Sequence, residues 1–443
     1  MSREQLPATI LVIFGITGDL SHRYLLPALV QIGEAGQFPD SFQILGVSRS
    51  DIKKKDLFKK SEKPLDKYTS VFQMDPANPK DFESLKDKLN ELGKDAKDEH
   101  QIIFYFAVPP AAVLPIVRNL GLSGLNGPNT KLLLEKPFGT DLSSARELIE
   151  EIGKHYPEKQ VYRIDHYLAK GMAQNIAVFL GSNAIFRYVW SNQFIERVNI
   201  IAVEQIDIEG RVELWEETGI LRDFVQSHLL QLAALTLMEP CSHMFDFSEL
   251  PARRLAALQQ LEIADASRAI RGQYKGYRQE VKNPKSTSDT FVALTLKSSD
   301  SRWQGVPVNI VNGKSLDQKL TQIEIHFKKT QSAEANLLTL RLHPKEGIEL
   351  DLWVKEPGYE QKLQKQPLRF IYEQRFGRVP EAYEQVLVDA MHSKQSLFAS
   401  SQEVLESWRI LQPLIDYWKT KTDQLAIYEP GSTIRQVLSE AKS

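Results

Sequence analysis

The segment that most constrains the fold of this chain is ILVIFGITGDLSHRYLLPAL, where an apolar run ends in two closely spaced glycines before a helical pattern. Gly15 and Gly18 directly follow the apolar residues 10–14. Glycines here permit a tight turn, so that free N–H groups at a helix N-terminus can bind a pyrophosphate. A purely structural strand-to-helix turn explains the pair about as well, and Ser21 stands where a third glycine is usual. The segment therefore predicts a βα unit and leaves its ligand open.

The hydrophobic pattern changes along the chain. Short apolar runs at 10–14, 42–47, 101–108 and 131–137 are separated by helical patterns, which predicts a parallel sheet with covering helices. Beyond about residue 180 the runs alternate polar and apolar residues, as antiparallel strands do. We therefore expect an α/β plus α+β protein. Residues 1–180 form a Rossmann-like dinucleotide-binding domain, and residues 181–443 form a larger domain built on a mostly antiparallel sheet.

Composition excludes several classes of function. The formal net charge is −2, so nucleic acid is not an expected partner and an anion must be bound by a local cluster. The single cysteine, Cys241, excludes an internal disulfide and is expected to be a buried, inert thiol. The nine histidines lack metal-ligand spacing, so no metal is expected. No run approaches the length of a membrane span, and we predict a cytoplasmic protein without a membrane partner.

The end of the second predicted strand indicates the cofactor. A dinucleotide fold that uses NAD normally presents an acid to the adenosine ribose at this position. Here the residues are Ser48, Arg49 and Ser50, and a guanidinium can pair with the 2′-phosphate of NADP. We therefore predict NADP, with NAD use still possible. The alternative is that Arg49 is an ordinary solvated arginine.

A dense group of polar side chains lies in RIDHYLAKGMAQN, residues 163–175. On a helix beginning near Asp165, His166 and Lys170 would share one face and could bind a phosphate, with Tyr167 as a further donor. The alternative is structural, with Asp165 as a helix cap and Lys170 as a solvated flank. Four such side chains within six positions favour a ligand site.

Three segments together resemble the glucose-6-phosphate dehydrogenase family: EKPFG, RIDHYLAK and GILRDFVQSHLLQ. The shorter segments GITGDL, YFAVPP, RGQY, GKSLDQK and YEQVLVDAM agree in order and spacing, and the likeness covers roughly residues 8–420. The resemblance implies oxidation of D-glucose 6-phosphate to 6-phospho-D-glucono-1,5-lactone with reduction of NADP, the first step of the oxidative pentose phosphate pathway. It also implies a homodimer or tetramer, with the large antiparallel sheet at the dimer interface.

The resemblance assigns roles to particular residues. His228 would be the base that removes the proton of the anomeric hydroxyl, with Asp165 as its partner, although a lone histidine on an apolar helix is more often a core residue. The residues implied in binding the sugar phosphate are His166, Tyr167, Lys170, Lys314 and Lys319 for the phosphate, and Lys136, Glu204 and Asp223 for the hydroxyls. The residues expected to bind the cofactor are Gly15, Thr17, Gly18, Asp19, Leu20, Arg49, Pro109 and Lys136.

The chain departs from the family pattern at several positions near the expected substrate. GRVELWEETG replaces a segment rich in glycine and tyrosine, Ser227 replaces the asparagine before the base, and His343 replaces a glutamine. Two alternatives therefore stay open. The enzyme could oxidise another sugar or sugar phosphate, or the chain could be a non-catalytic relative that binds NADP or a sugar phosphate to regulate a partner.

Overall fold

The computed structural model describes most of the chain and divides it into two compact units. The described residues are 6–94, 100–240, 247–330, 334–421 and 425–441, so Cys241 lies outside the described residues. The first unit comprises Met1–Gly139, Ser143–Ala169 and Pro380–Ser401, and the second comprises Thr140–Leu142, Lys170–Val379 and Gln402–Ser443. Among the described helices, none is both long enough and apolar enough to cross a membrane.

The strands alternate with helices in the first part of the chain and follow one another in the second. They are β1 (Thr9–Phe14), β2 (Phe42–Ser48), β3 (Thr69–Gln73), β4 (Gln101–Phe106), β5 (Thr130–Leu134), β6 (Val161–Ile164), β7 (Ile195–Val203), β8 (Leu261–Ile263), β9 (Ile270–Tyr274), β10 (Phe291–Ser298), β11 (Val308–Gly313), β12 (Leu320–Phe327), β13 (Leu337–His343), β14 (Gly347–Lys355), β15 (Leu363–Ile371), β16 (Phe398–Ala399) and β17 (Ala426–Tyr428).

The α-helices are α1 (Leu26–Glu34), α2 (Lys54–Leu57), α3 (Pro79–Gly93), α4 (Pro110–Leu122), α5 (Leu142–Gly153), α6 (Gly171–Ser182), α7 (Ala184–Val189), α8 (Val212–Ile220), α9 (Leu230–Leu237), α10 (Leu250–Gln259), α11 (Tyr277–Glu280), α12 (Tyr372–Phe376), α13 (Ala382–Met391), α14 (Ser401–Thr420) and α15 (Ile434–Glu440). Two π-helical segments, Ser21–Leu25 and Leu221–Leu229, precede α1 and α9. Short 3₁₀ turns span Lys63–Tyr68, Glu158–Gln160, Phe247–Glu249 and Ala266–Arg268.

The sheet of the first unit confirms the Rossmann-like prediction. Within the described residues its order is β16-β6-β5-β4-β1-β2-β3, and β1 to β6 are all parallel. β1 lies between β2 and β4, so the order reverses there and a crevice opens at the carboxyl end of β1. A crevice of this kind is the usual place for a dinucleotide.

Residues 380–401 pack with the first unit, whereas the sequence prediction places them in the C-terminal domain. β16 joins the first sheet by antiparallel pairing of Phe398 with Ile164. The buried residues of α13, among them Val386 and Leu387, pack in the same core as Leu29 of α1. A late segment therefore completes the edge and one face of the first unit because both surfaces would otherwise expose apolar side chains.

The second unit contains the large sheet expected from the alternating pattern. Its order in the described residues is β15-β14-β13-β12-β7-β11-β10-β9-β17, with β8 paired to β10. Most pairs are antiparallel, which confirms the prediction, and the β7–β11 and β9–β17 pairs are parallel. The carboxyl ends of β7, β11 and β13 therefore meet the start of β12 at one end of the sheet.

Candidate active site

The glycine turn after β1 has the geometry that a pyrophosphate requires. Gly15 has a φ of +84°, and a Cβ there would lie 2.3 Å from the carbonyl oxygen of Ala107. The Gly18 N–H donates to the Gly15 carbonyl at 2.9 Å. The buried Ser21 hydroxyl donates a hydrogen bond to the same carbonyl at 2.9 Å. The serine that stands in place of the third glycine therefore stabilises the turn. A side chain at Gly15 would clash with backbone, and the turn therefore fits a dinucleotide phosphate.

A cavity of about 470 Å³ lies beside this turn in the first unit. Of the predicted cofactor residues, its lining includes Gly15, Thr17, Gly18, Arg49 and Pro109. Its described lining does not include Asp19, Leu20 or Lys136. Asp19 is exposed and pairs with Arg23 at 2.8 Å, Leu20 packs against the core, and Lys136 lies two residues beyond β5.

The far side of the cavity combines the predicted Arg49 with residues that the sequence analysis did not select. Arg49 is exposed at the end of β2, where its guanidinium can reach a ligand in the cavity. Asp75, Pro76 and Ala77, which follow β3, complete that wall, and the Asp75 carboxylate accepts the Ala77 N–H at 3.0 Å. Their position after the neighbouring strand was the available signal, because adjacent parallel strands end at the same edge.

The RIDHYLAK segment corrects one structural prediction. Residues 166–169 form a turn, and α6 begins only at Gly171, with Lys170 as the extended residue before it. The Asp165 carboxylate accepts the Tyr167 N–H at 2.8 Å, an arrangement that closes a turn in place of a helix. The prediction that His166 and Lys170 lie on one face of a helix is therefore wrong.

A buried carboxylate held by two tyrosines lies in the first unit and was missed by the sequence analysis. Tyr105 donates its hydroxyl to Glu135 at 2.5 Å, and Tyr383 donates to the same carboxylate. Burial raises the pKa of Glu135, while the two phenols and the charge of Lys136 oppose the rise. The Tyr383 ring also stacks on His166, with centroids 6.3 Å apart. The network therefore orients a residue of the predicted phosphate site.

In the second unit, predicted substrate residues meet at one end of the large sheet. Cross-strand pairing aligns Gly313, Val203 and Leu320, so that Lys314, Glu204 and Lys319 come directly past the aligned ends. The Lys314 ammonium contacts the Glu204 carboxylate at 2.6 Å, and Lys314 is only 3% exposed. The structure thus brings together three residues that are scattered in the sequence.

His343 and Lys170 join the same end of the sheet. His343 ends β13 and lies opposite Thr321 of β12, two residues after Lys319. α6, which Lys170 precedes, packs on β13. Burial lowers the pKa of Lys170, aided by the charge of Lys319 and opposed by that of Glu346. Burial also lowers the pKa of His343, as do the charges of Lys319 and Lys170, while Glu204 opposes the shift, so the neutral imidazole is favoured beside the two lysines.

The predicted base occupies the second π-helix. His228 is 1% exposed, and its ring meets Phe224 edge to face at 5.2 Å. In an α-helix Asp223 and His228 would lie about 140° apart, but a π-helix closes its bonds between residues five apart and brings both near one face. Ser227 donates its hydroxyl to the Asp223 carbonyl at 2.8 Å. π-Helical turns occur frequently at functional sites, which supports a role beyond packing.

The segment GRVELWEETG, which departs from the family pattern, forms most of α8, and its side chains contact residues of this site. Trp215 is 1% exposed, and the Lys314 ammonium lies 5.2 Å from its ring centroid. Glu216 accepts hydrogen bonds from Tyr277 at 2.9 Å and from Ser286 at 2.6 Å. The altered residues therefore support a predicted phosphate ligand. Asp165 lies in the first unit and His228 in the second, and their pairing stays a prediction.

Comparisons with known proteins agree with this geometry. Residues 12–175 match the model of the glucose-6-phosphate dehydrogenase NAD binding domain, and residues 177–440 match that of the C-terminal domain. The chain is 33% identical to glucose-6-phosphate 1-dehydrogenase of Bacillus subtilis, over 98% of this chain and 96% of the relative. It is 34% identical to that of Chlamydia pneumoniae, over 96% and 93%. A solved glucose-6-phosphate dehydrogenase in complex with glucose 6-phosphate superposes with a TM-score of 0.91 at 28% identity, over 99% of both chains.

Proposed function

The chain belongs to the glucose-6-phosphate dehydrogenase family, and on that premise we propose that it oxidises glucose 6-phosphate at C1 with NADP as the preferred acceptor. The observation that carries the proposal is the meeting of Lys170, Lys319 and His343 at one end of the large sheet. Two lysine ammonium groups and an imidazole around one point suit a phosphate monoester, which free sugars lack. The family supports a nicotinamide dinucleotide as cofactor.

The preference for NADP is supported by Arg49. Its guanidinium lies at the edge of the cavity beside the glycine turn, at the end of the second strand. An arginine there can pair with a 2′-phosphate, and NAD, which has a hydroxyl in that place, gains nothing from the charge. The bound cofactor supplies the acceptor for the hydride that leaves C1.

The proton of the C1 hydroxyl is proposed to move to His228. A histidine is suited to this role because its ordinary pKa lies near the working pH. Asp165 would hold the imidazole in the required tautomer, and His166 and Tyr167 would complete the phosphate site. Glu204, which already contacts Lys314 at 2.6 Å, and Asp223 would accept hydrogen bonds from hydroxyls of the sugar. Lys136 would donate to a sugar hydroxyl.

We also propose that the enzyme is a homodimer or tetramer that pairs through the large sheet. β15 is an edge strand that exposes apolar side chains, among them Leu363, Leu368 and Phe370, which are 49%, 56% and 39% exposed. An exposed edge strand with apolar residues is a surface that proteins normally cover. A second copy of the chain would cover it.

The function is tested by following absorbance at 340 nm with glucose 6-phosphate and either NADP or NAD, beside His228→Asn and Lys170→Ala. We expect reduction of NADP, loss of kcat in His228→Asn, and a raised KM for glucose 6-phosphate in Lys170→Ala. Free glucose and other hexose phosphates form the substrate controls. A higher kcat/KM for another sugar would reassign the substrate. Ligand binding without reduction of either cofactor would instead favour a regulatory, non-catalytic relative.

A further inference from the structure

Apart from the lysines, the phosphate-binding end of the large sheet contains a group whose charge can change near neutral pH. We propose that His343 takes up a proton when a sugar phosphate binds, so that it acts as a pH-dependent determinant of substrate affinity. This inference rests on the proposed function, because it assumes that the site binds glucose 6-phosphate. The family resemblance places a glutamine at this position, which carries no titratable proton.

The register of the sheet places His343 among charged groups from each neighbouring element. β12 contributes Lys319 at its start, and β7 contributes Glu204 at its end. The residue before α6, Lys170, and the turn after β13, with Glu346, complete the surroundings. The Glu346 carboxylate accepts the Met172 N–H in the first turn of α6 at 2.6 Å. The imidazole therefore shares one site with both lysines.

The charges of this cluster show why a proton is needed. Lys314 neutralises Glu204 through its 2.6 Å ion pair. Of the remaining groups, Lys170 and Lys319 are cationic, and the charge of Glu346 opposes that of Lys170. One net positive charge is then left to meet a phosphate dianion, which carries about two negative charges above pH 7. A protonated His343 would bring the cluster close to neutrality.

The protein groups around His343 disfavour that proton. Partial burial and the neighbouring lysines lower the pKa of the His343 imidazole, which favours its neutral form. A bound dianion acts in the opposite direction, because a nearby negative charge favours the protonated form. By linkage, a group whose pKa is higher in the complex than in the free protein takes up a proton on binding, and affinity falls as pH rises.

The test uses isothermal titration calorimetry of the whole protein between pH 7.0 and 8.5, where the phosphate monoester of glucose 6-phosphate is mainly a dianion. Glucose 6-phosphate is titrated in two buffers of different ionisation enthalpy, so that the proton uptake is measured directly. Inorganic phosphate, which ionises near pH 7, is a second probe at pH 8.5 only. Uptake of one full proton corresponds to about a tenfold rise of Kd per pH unit. We expect Kd of the intact protein to rise about 3- to 10-fold across this range, with net proton uptake at pH 7.

Two variants and one control isolate the imidazole. In His343→Gln we expect Kd to change less than about 2-fold with pH and the uptake to fall, because an amide can donate but cannot titrate. In His343→Lys we expect tighter binding at pH 8.5 than in the intact protein, since its charge persists. His326→Gln, in the same sheet but at the other end of β12, should keep the pH dependence of the intact protein.

Several outcomes would overturn the inference. Equal pH dependence and uptake in the intact protein and His343→Gln would mean that another group titrates, even if glucose 6-phosphate binds well. Weaker binding of His343→Lys at pH 8.5 would refute the charge argument. Binding of inorganic phosphate without glucose 6-phosphate would refute the proposed substrate while leaving the phosphate site, and binding of neither probe would refute both.

Discussion

Replacing Arg49 with alanine should change the choice of cofactor. The guanidinium lies at the edge of the cofactor cavity, and the proposed 2′-phosphate contact exists only with NADP. A hydrogen bond to a charged group contributes about 1.5–3 kcal/mol. Arg49 is exposed, so solvent and salt screen the contact and the lower end of that range applies. Since about 1.4 kcal/mol corresponds to a factor of ten, we expect kcat/KM for NADP to fall roughly tenfold in Arg49→Ala.

The assay compares kcat/KM for NADP and NAD at low and at high salt. The value for NAD should change less than about twofold, and the loss with NADP should shrink as salt increases. Arg118→Ala is a matched control, because Arg118 is an exposed arginine of the same unit that pairs with Glu151 outside the cavity lining. Equal losses with NADP and NAD in Arg49→Ala, or a similar selectivity change in Arg118→Ala, would refute the assigned contact.

Three further predictions concern stability and assembly. Burial lowers the pKa of Lys131 to about 8, below its ordinary value, so the unfolded chain binds more protons above pH 8. The free energy of unfolding that Lys131 contributes therefore rises with pH. In urea unfolding we expect the intact protein to gain roughly 1–2 kcal/mol relative to Lys131→Met between pH 8 and 9.5. A difference in unfolding free energy that does not change with pH would contradict this. Arg254 and Glu403 form a fully buried ion pair at 2.7 Å. Arg254→Met should lower the free energy of unfolding by about 3–5 kcal/mol because it leaves a buried charge unpaired, and adding Glu403→Leu should restore much of that loss. Thermal unfolding of the single and the double variant measures both effects. Leu368→Glu on β15 should dissociate the proposed oligomer in light scattering, and an unchanged mass would exclude that surface.

The sequence predicts the first unit well where local pattern and glycine chemistry agree. The apolar runs correspond to β1, β2, β4 and β5, and α3 is one of the helices that occupy the helical patterns between them. The turn after β1 follows from Gly15 alone, because only glycine tolerates its positive φ beside the Ala107 carbonyl. Such features depend on residues that are close together in the chain, so they can be predicted from a single sequence.

Other features depend on contacts between distant residues. The Asp165 side chain closes a turn on the Tyr167 N–H and Lys170 is extended, so the helix predicted from Asp165 begins only at Gly171. Glu135 joins Tyr105 and Tyr383 across more than 200 residues, which no spacing rule indicates. The meeting of Lys319 with His343 requires the register of β12 on β13, which follows only from the folded sheet.

The π-helix that carries His228 makes the length of this segment as important as its composition. Its hydrogen bonds span five residues, so Leu221–Leu229 holds one residue more per turn than an α-helix can accommodate. Relaxation of this segment to α-helical bonding at its present length would place Asp223 and His228 about 140° apart around the axis. Deleting one residue between them would give an α-helix in which the two side chains are four positions and only about 40° apart. The orientation of His228 towards Asp223 therefore depends on the number of residues in the segment matching its hydrogen-bond pattern.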